Sequence, residues 1–122
     1  MNTALHLLII ADHDKEAMEL LKVLQANDYA LTMMRVDNAT QLETALGRPT
    51  WELALVVYPL RQFHGFDAVS VVRANRPEMP CIVVSQANNA EVAVAAMKVG
   101  ARDYIVVESE KVTAAVVGKR EQ

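Results

Sequence analysis

With a single cysteine, Cys81, the chain can form no internal disulfide, and a reducing compartment is the expected setting. Cys81 sits in the apolar run Cys81-Ile82-Val83-Val84, where a buried, inert thiol is expected. No apolar run approaches the length of a membrane span. The opening residues Met1-Asn2-Thr3-Ala4-Leu5-His6 lack the basic region and small-residue cleavage site of a signal peptide, so a cytoplasmic protein is expected. Positive charge is scarce as well. The net charge of −3 argues against a nucleic-acid surface, which needs clustered Lys and Arg. Repeats, low-complexity segments, internal linkers and a glycine-rich phosphate cradle are all missing.

What remains is an ordinary globular composition, 52% apolar and 22% charged over 122 residues, enough for one domain with its own core. Five short apolar runs alternate with helical patterns, which predicts βα units around a parallel sheet. The strands are expected at residues 5–11, 29–36, 53–58, 81–85 and 104–107. The second is the least apolar and suits an edge. Ala17, Leu20, Leu21 and Leu24 recur at helical spacing, predicting a first helix over 14–27. Asn38 followed by Gln41 reads as an N-cap with a capping-box partner, before Leu42, Ala45 and Leu46 on one face. Val69, Val72 and Arg73 mark a third helix ending before Pro77. Val92, Ala96 and Val99 are expected to line a fourth, with Gly100 as its C′ residue. A fifth, from about residue 109, is expected to run to the end of the chain. Residues 118–122 read as the start of a linker, which makes 1–122 either a stand-alone domain or a module of a larger protein.

Right-handed crossovers make (βα)5 with strand order 2-1-3-4-5, a flavodoxin-like doubly wound sheet, the natural solution. Sites in such sheets lie beyond the carboxyl ends of the strands, where the order switches between the first and third. That directs attention to Asp12, His13, Val57, Ser85 and Val107.

Four segments fix a likeness: Leu8-Ile9-Ile10-Ala11-Asp12, Trp51-Glu52-Leu53-Ala54-Leu55-Val56-Val57, Pro80-Cys81-Ile82-Val83-Val84-Ser85 and Gly100-Ala101-Arg102-Asp103-Tyr104-Ile105. In this order and spacing the chain resembles a CheY-like receiver domain of bacterial two-component signalling over nearly its whole length. The stretch Glu91-Val92-Ala93-Val94-Ala95-Ala96-Met97 is similar to receivers joined to sensory or cyclic-dinucleotide modules. The resemblance implies an acidic pair for Mg2+, an aspartate nucleophile on the third strand, a Ser or Thr on the fourth, and an aromatic and a lysine on the fifth. Phosphoryl transfer is positioning and charge neutralisation, and a hard cation needs oxygen ligands.

Laid on that pattern, the nucleophile position falls on Val57, or on Tyr58 one residue along. The lysine falls on Val107, with Glu108 where a proline usually follows. The acidic pair is Asp12 with His13, and Asp14 is a spare carboxylate. His64-Gly65 replaces Asp-Gly, while Ser85 and Tyr104 match. The expectation is a degenerate receiver that accepts no phosphoryl group, needs no cofactor, is not an enzyme and acts by binding. Its partners would be proteins or adjoining sensory, kinase or cyclic-dinucleotide modules, or a second copy, with neither nucleic acid nor membrane. Lys98, Arg102, Asp103 and Tyr104 are expected to mark the interaction and switch face. The alternative is an Mg2+-dependent phosphatase using Asp12 and Asp14, whose Asp-x-Asp resembles haloacid-dehalogenase-type enzymes.

Individual residues also admit plainer roles. Asp12 and Asp14 are weak metal candidates, but Asp14 can instead cap the first helix and Asp12 can remain as a polar group at a strand end. Ser85 can bond local backbone. Trp51 is expected to cover the bottom of the sheet. Phe63, if exposed, would mark a contact site. His6 and His64 are expected to be solvated or satisfied, and Met33 and Met34 to point one in and one out.

Overall fold

The computed structural model describes residues 3–25, 29–85 and 89–106. In chain order these form β1 (Thr3–Ile10), α1 (Asp14–Gln25), β2 (Tyr29–Val36), α2 (Ala39–Leu46), β3 (Leu53–Tyr58), α3 (Asp67–Asn75), β4 (Cys81–Ser85), α4 (Ala90–Lys98) and β5 (Asp103–Val106). The strands make one parallel sheet of order β2-β1-β3-β4-β5, as the alternation predicted. The expected fifth helix and Val107 lie outside the described residues. None of the described helices is long and apolar enough to cross a membrane.

The central strands read as unbroken apolar runs because helices cover both faces of the sheet. Successive side chains feed alternate cores. Leu8, Ile10, Ala54, Val56, Cys81 and Val83 pack against Leu42, Ala45 and Leu46 of α2, Val69 and Val72 of α3 and Ala96 of α4. Leu5, Leu7, Ile9, Leu55, Ile82 and Val84 pack against Ala17 and Leu20 of α1. Full burial of one such side chain contributes about 1.5–3 kcal/mol, so these two layers dominate stability. Burial pushes the Cys81 thiol up to about 12, so it stays protonated and inert at neutral pH.

Caps fix where the helices begin. Asn38 Oδ1 accepts from Gln41 N at 2.9 Å, as the spacing predicted. The Gln41 side chain accepts from Asp37 N at 3.0 Å, one residue earlier than a closed capping box requires. Asn89 Oδ1 serves Glu91 N and Val92 N at the start of α4.

Several expectations need correction. Asp14 is the first residue inside α1, so it does not cap from outside. Glu16 Oε1 instead accepts from His13 N at 3.3 Å. Val99 is 39% exposed because it follows the last turn of α4, where the chain is already leaving the helix face. Phe63, whose exposure the sequence left open, is buried within the core that faces α2 and α3 and so marks no contact site. Met33 and Met34 do point to opposite faces, yet both are half-buried, since each face is covered. Trp51 is buried as expected, but its Nε1 has no hydrogen-bond partner among the described residues, and neither does the buried Nδ1 of His6.

Gly100 closes α4 with the two bonds of a Schellman motif. Ala101 N reaches Ala96 O, and Gly100 N reaches Met97 O, each at 3.1 Å. Its φ of +110° suits glycine alone, and a methyl group here would sit 3.0 Å from Arg73 Nε. Gly100→Ala is expected to cost about 1–3 kcal/mol in urea denaturation. Arg73→Ala in the same chain should relieve the contact but not the backbone strain. The double variant should therefore remain less stable than Arg73→Ala alone.

Candidate functional site

The parallel register brings the carboxyl ends of the central strands level. Ile10 pairs with Val56, Tyr58 with Ser85, and Ser85 with Val106. Ala11 N donates to Val36 O at 3.1 Å, which carries the β1–β2 pairing one residue beyond the strand. Asp12, Val57 and Ser85 thus come to one edge of the sheet, on either side of the β1–β3 switch point.

Each of these residues has a definite environment. The half-buried Asp12 carboxylate accepts from the Arg61 backbone N–H, at 3.0 Å to Oδ1 and 3.2 Å to Oδ2. That bond ties the β1–α1 turn to the loop after β3. His13 is exposed. Val57 is 9% exposed and belongs to the apolar layer that contains Ala11 and Val84. Tyr58, the neighbouring position, turns to the opposite face and stacks on Phe66, with ring centroids 4.5 Å apart. Ser85 is buried.

The β1–β2 end of this edge is organised by a residue that motif reading passed over. From the end of β2, Arg35 reaches across β1. Its Nε donates to Asp14 Oδ1 at 2.6 Å, and its Nη1 donates to Ala11 O at 2.9 Å. Nη1 also lies 3.3 Å from both Asp12 O and Asp37 Oδ2. The hydrogen bond to the Asp14 carboxylate, opposed by some desolvation and aided by Asp37, holds the guanidinium pKa above its usual value. The sequence did carry a signal: a lone cation in an edge strand, with Asp37 two residues on and Asp14 at the start of the helix after the first strand. The carboxylates of Asp12 and Asp14 consequently face different partners and do not converge.

Toward β5, Lys98 and Arg102 are exposed. Tyr104 is half-buried and packs against the core facing α3 and α4. Asp103 turns its carboxylate back to accept from Tyr104 N at 2.9 Å. Sequence reading missed the apolar part of this face: Val94 is 52% and Met97 47% exposed on α4.

A doubly wound sheet with its polar edge at the β1–β3 switch is the architecture of single-domain α/β switches and nucleotide binders. The model of the response regulator receiver domain matches residues 7–116, and the chain belongs to that family. Nitrogen assimilation regulatory protein NtrX of Azorhizobium caulinodans is 27% identical over 101 residues, covering 82% of this chain and 22% of NtrX. The chain spans about a fifth of the length of the curated relatives it matches, 18% and 22%. A two-component response regulator of Clostridium difficile superposes with a TM-score of 0.82 at 16% identity, covering 97% of each chain. The beryllofluoride-activated NtrC4 receiver domain, solved as a dimer, gives 0.80 at 16% identity over 95% of this chain and 96% of that one. At such identities the structures speak to fold alone.

The family implies a divalent cation at this edge, and the donor set does not suit one. Asp12 is engaged by a backbone N–H, His13 is a poor ligand for a hard ion, and Asp14 is engaged by Arg35. Among the described residues no group of three His, Cys, Asp or Glu side chains is placed to hold a metal.

Asp12→Ala should lower stability by about 1 kcal/mol in urea denaturation, because the Arg61 N–H loses its acceptor. Asp12→Asn, which keeps an oxygen there, should retain most of it.

Proposed function

We propose that this receiver domain takes part in bacterial signalling without accepting a phosphoryl group, and that it acts by binding proteins, not as an enzyme. The observation that carries the reading is Val57. At the tip of the middle strand, where a receiver's attacking carboxylate is expected, an isopropyl group packs beside Ala11 and Val84. It offers phosphorus no oxygen, and a charged acceptor in that apolar layer would cost desolvation. The sequence adds Val107 at the lysine position, so an anion formed there would also lack its partner.

The surface that supports binding lies on α4 and β5. Val94 and Met97 are exposed apolar side chains three residues apart on α4, Lys98 and Arg102 nearby in sequence are exposed charges, and Tyr104 is half-buried against the core. An apolar centre rimmed by charge is the composition of a protein contact. NtrC4's receiver domain is a dimer, and the same mode here makes a second copy the first partner, with adjoining signalling domains as further ones.

The test of the chemistry is incubation with acetyl phosphate and Mg2+, followed by intact-mass and peptide analysis. The mass should stay unchanged, and a phosphoryl adduct mapping to residues 12, 57 or 58 would end the reading. For the surface, light scattering at rising concentration should show a dimer that Val94→Lys combined with Met97→Lys converts to monomer. A wild-type chain that stays monomeric would remove self-association from the account.

A further inference from the structure

We infer that the Arg35 guanidinium is a built-in cation that stands in for a divalent ion and makes the polar edge of the sheet independent of metal. The inference rests on the reading that this receiver does not run the phosphoryl reaction, and it adds how the edge is held together without that chemistry.

Four oxygens surround the guanidinium: the carboxylates of Asp14 and Asp37 and the carbonyls of Ala11 and Asp12. Carboxylates and carbonyls are the donor types that a hard cation collects. Here they are collected by a planar fork whose N–H groups point in fixed directions, a geometry lysine cannot reproduce. The ion pair with Asp14 adds little alone, since that carboxylate is 84% exposed and solvent screens it. The carbonyls matter more. They belong to the end of β1, beyond the reach of the sheet's own ladder, and the Arg35 side chain over them is only 24% exposed.

The network extends beyond Arg35. Asp37 Oδ1 accepts from Asn38 Nδ2 at 2.9 Å, and Asn38 caps α2. One cation therefore joins the β1–α1 turn, the end of β2 and the start of α2. A bound ion exchanges with solvent and can leave. A guanidinium on the strand cannot, so the joint stays closed whatever the ion concentration.

Thermal unfolding of the whole chain tests this in EDTA and across Mg2+ and Ca2+ series at matched ionic strength. The wild-type Tm should be the same throughout. Arg35→Gln should melt several degrees lower in EDTA and regain part of the loss, saturably, as either ion is added. Arg35→Lys should keep the ion independence with a smaller loss. A saturable rise of the wild-type Tm with either ion overturns the inference. So does an Arg35→Gln chain as stable as wild type, or one that is weakened and recovers nothing, because Arg35 would then be only a hydrogen-bond donor. If Arg35→Gln does not fold in EDTA, refolding across the ion series decides by the same criterion. The readout is a melting temperature, so its failure is separate from the appearance of a phosphoryl adduct.

Discussion

A sheet in which every strand runs the same way must deliver every carboxyl end to one edge. Carbonyl oxygens without ladder partners and the acidic residues of the following turns collect there, and something has to satisfy them. In this chain the demand is met from within. Arg35 spans the ends of β1 and β2, and the Arg61 N–H reaches Asp12 from the loop after β3. The two contacts flank the switch point and fix the β1–α1 turn from both sides.

The apolar layers beneath that edge set what it can do. Val57 extends the layer of Ile9, Leu55 and Val84 to the tip of the middle strand, while Tyr58 turns the other way to stack on Phe66. There hydrocarbon continues almost to the surface. Charge remains two strands over, around Arg35 on β2, where one guanidinium faces the carboxylates of Asp14 and Asp37. The edge is thus divided into an apolar part and an ion-paired part.

Most of the fold was legible because a buried parallel sheet leaves a plain trace. Runs such as Leu53–Tyr58 and Cys81–Ser85 have the length and uniform apolarity that two covered faces impose, and both strands fall where expected. Caps were legible for a similar reason, since Asn38 acts on backbone only three residues away. The site was legible only in its positions. That Asp12, Val57 and Ser85 share an edge follows from topology. What each touches depends on contacts far apart in sequence, as with Arg61 on Asp12 and Arg35 on Asp14. Phe63 shows the same limit: sequence left its exposure open, and only the path of the loop turns its ring inward.

The buried indole of Trp51 brings one more consequence. It is the chain's single tryptophan, it lies at the amino-terminal end of β3, and its Nε1 has no partner among the described residues. Its fluorescence therefore samples an apolar pocket at the end of the barrel-less sheet farthest from Arg35 and Val57. Ultraviolet emission from the native protein reports the integrity of the packing beneath α2 and α3, and stays largely blind to events at the opposite rim. Observing those events spectroscopically calls for a dye or an isotope label placed at that rim.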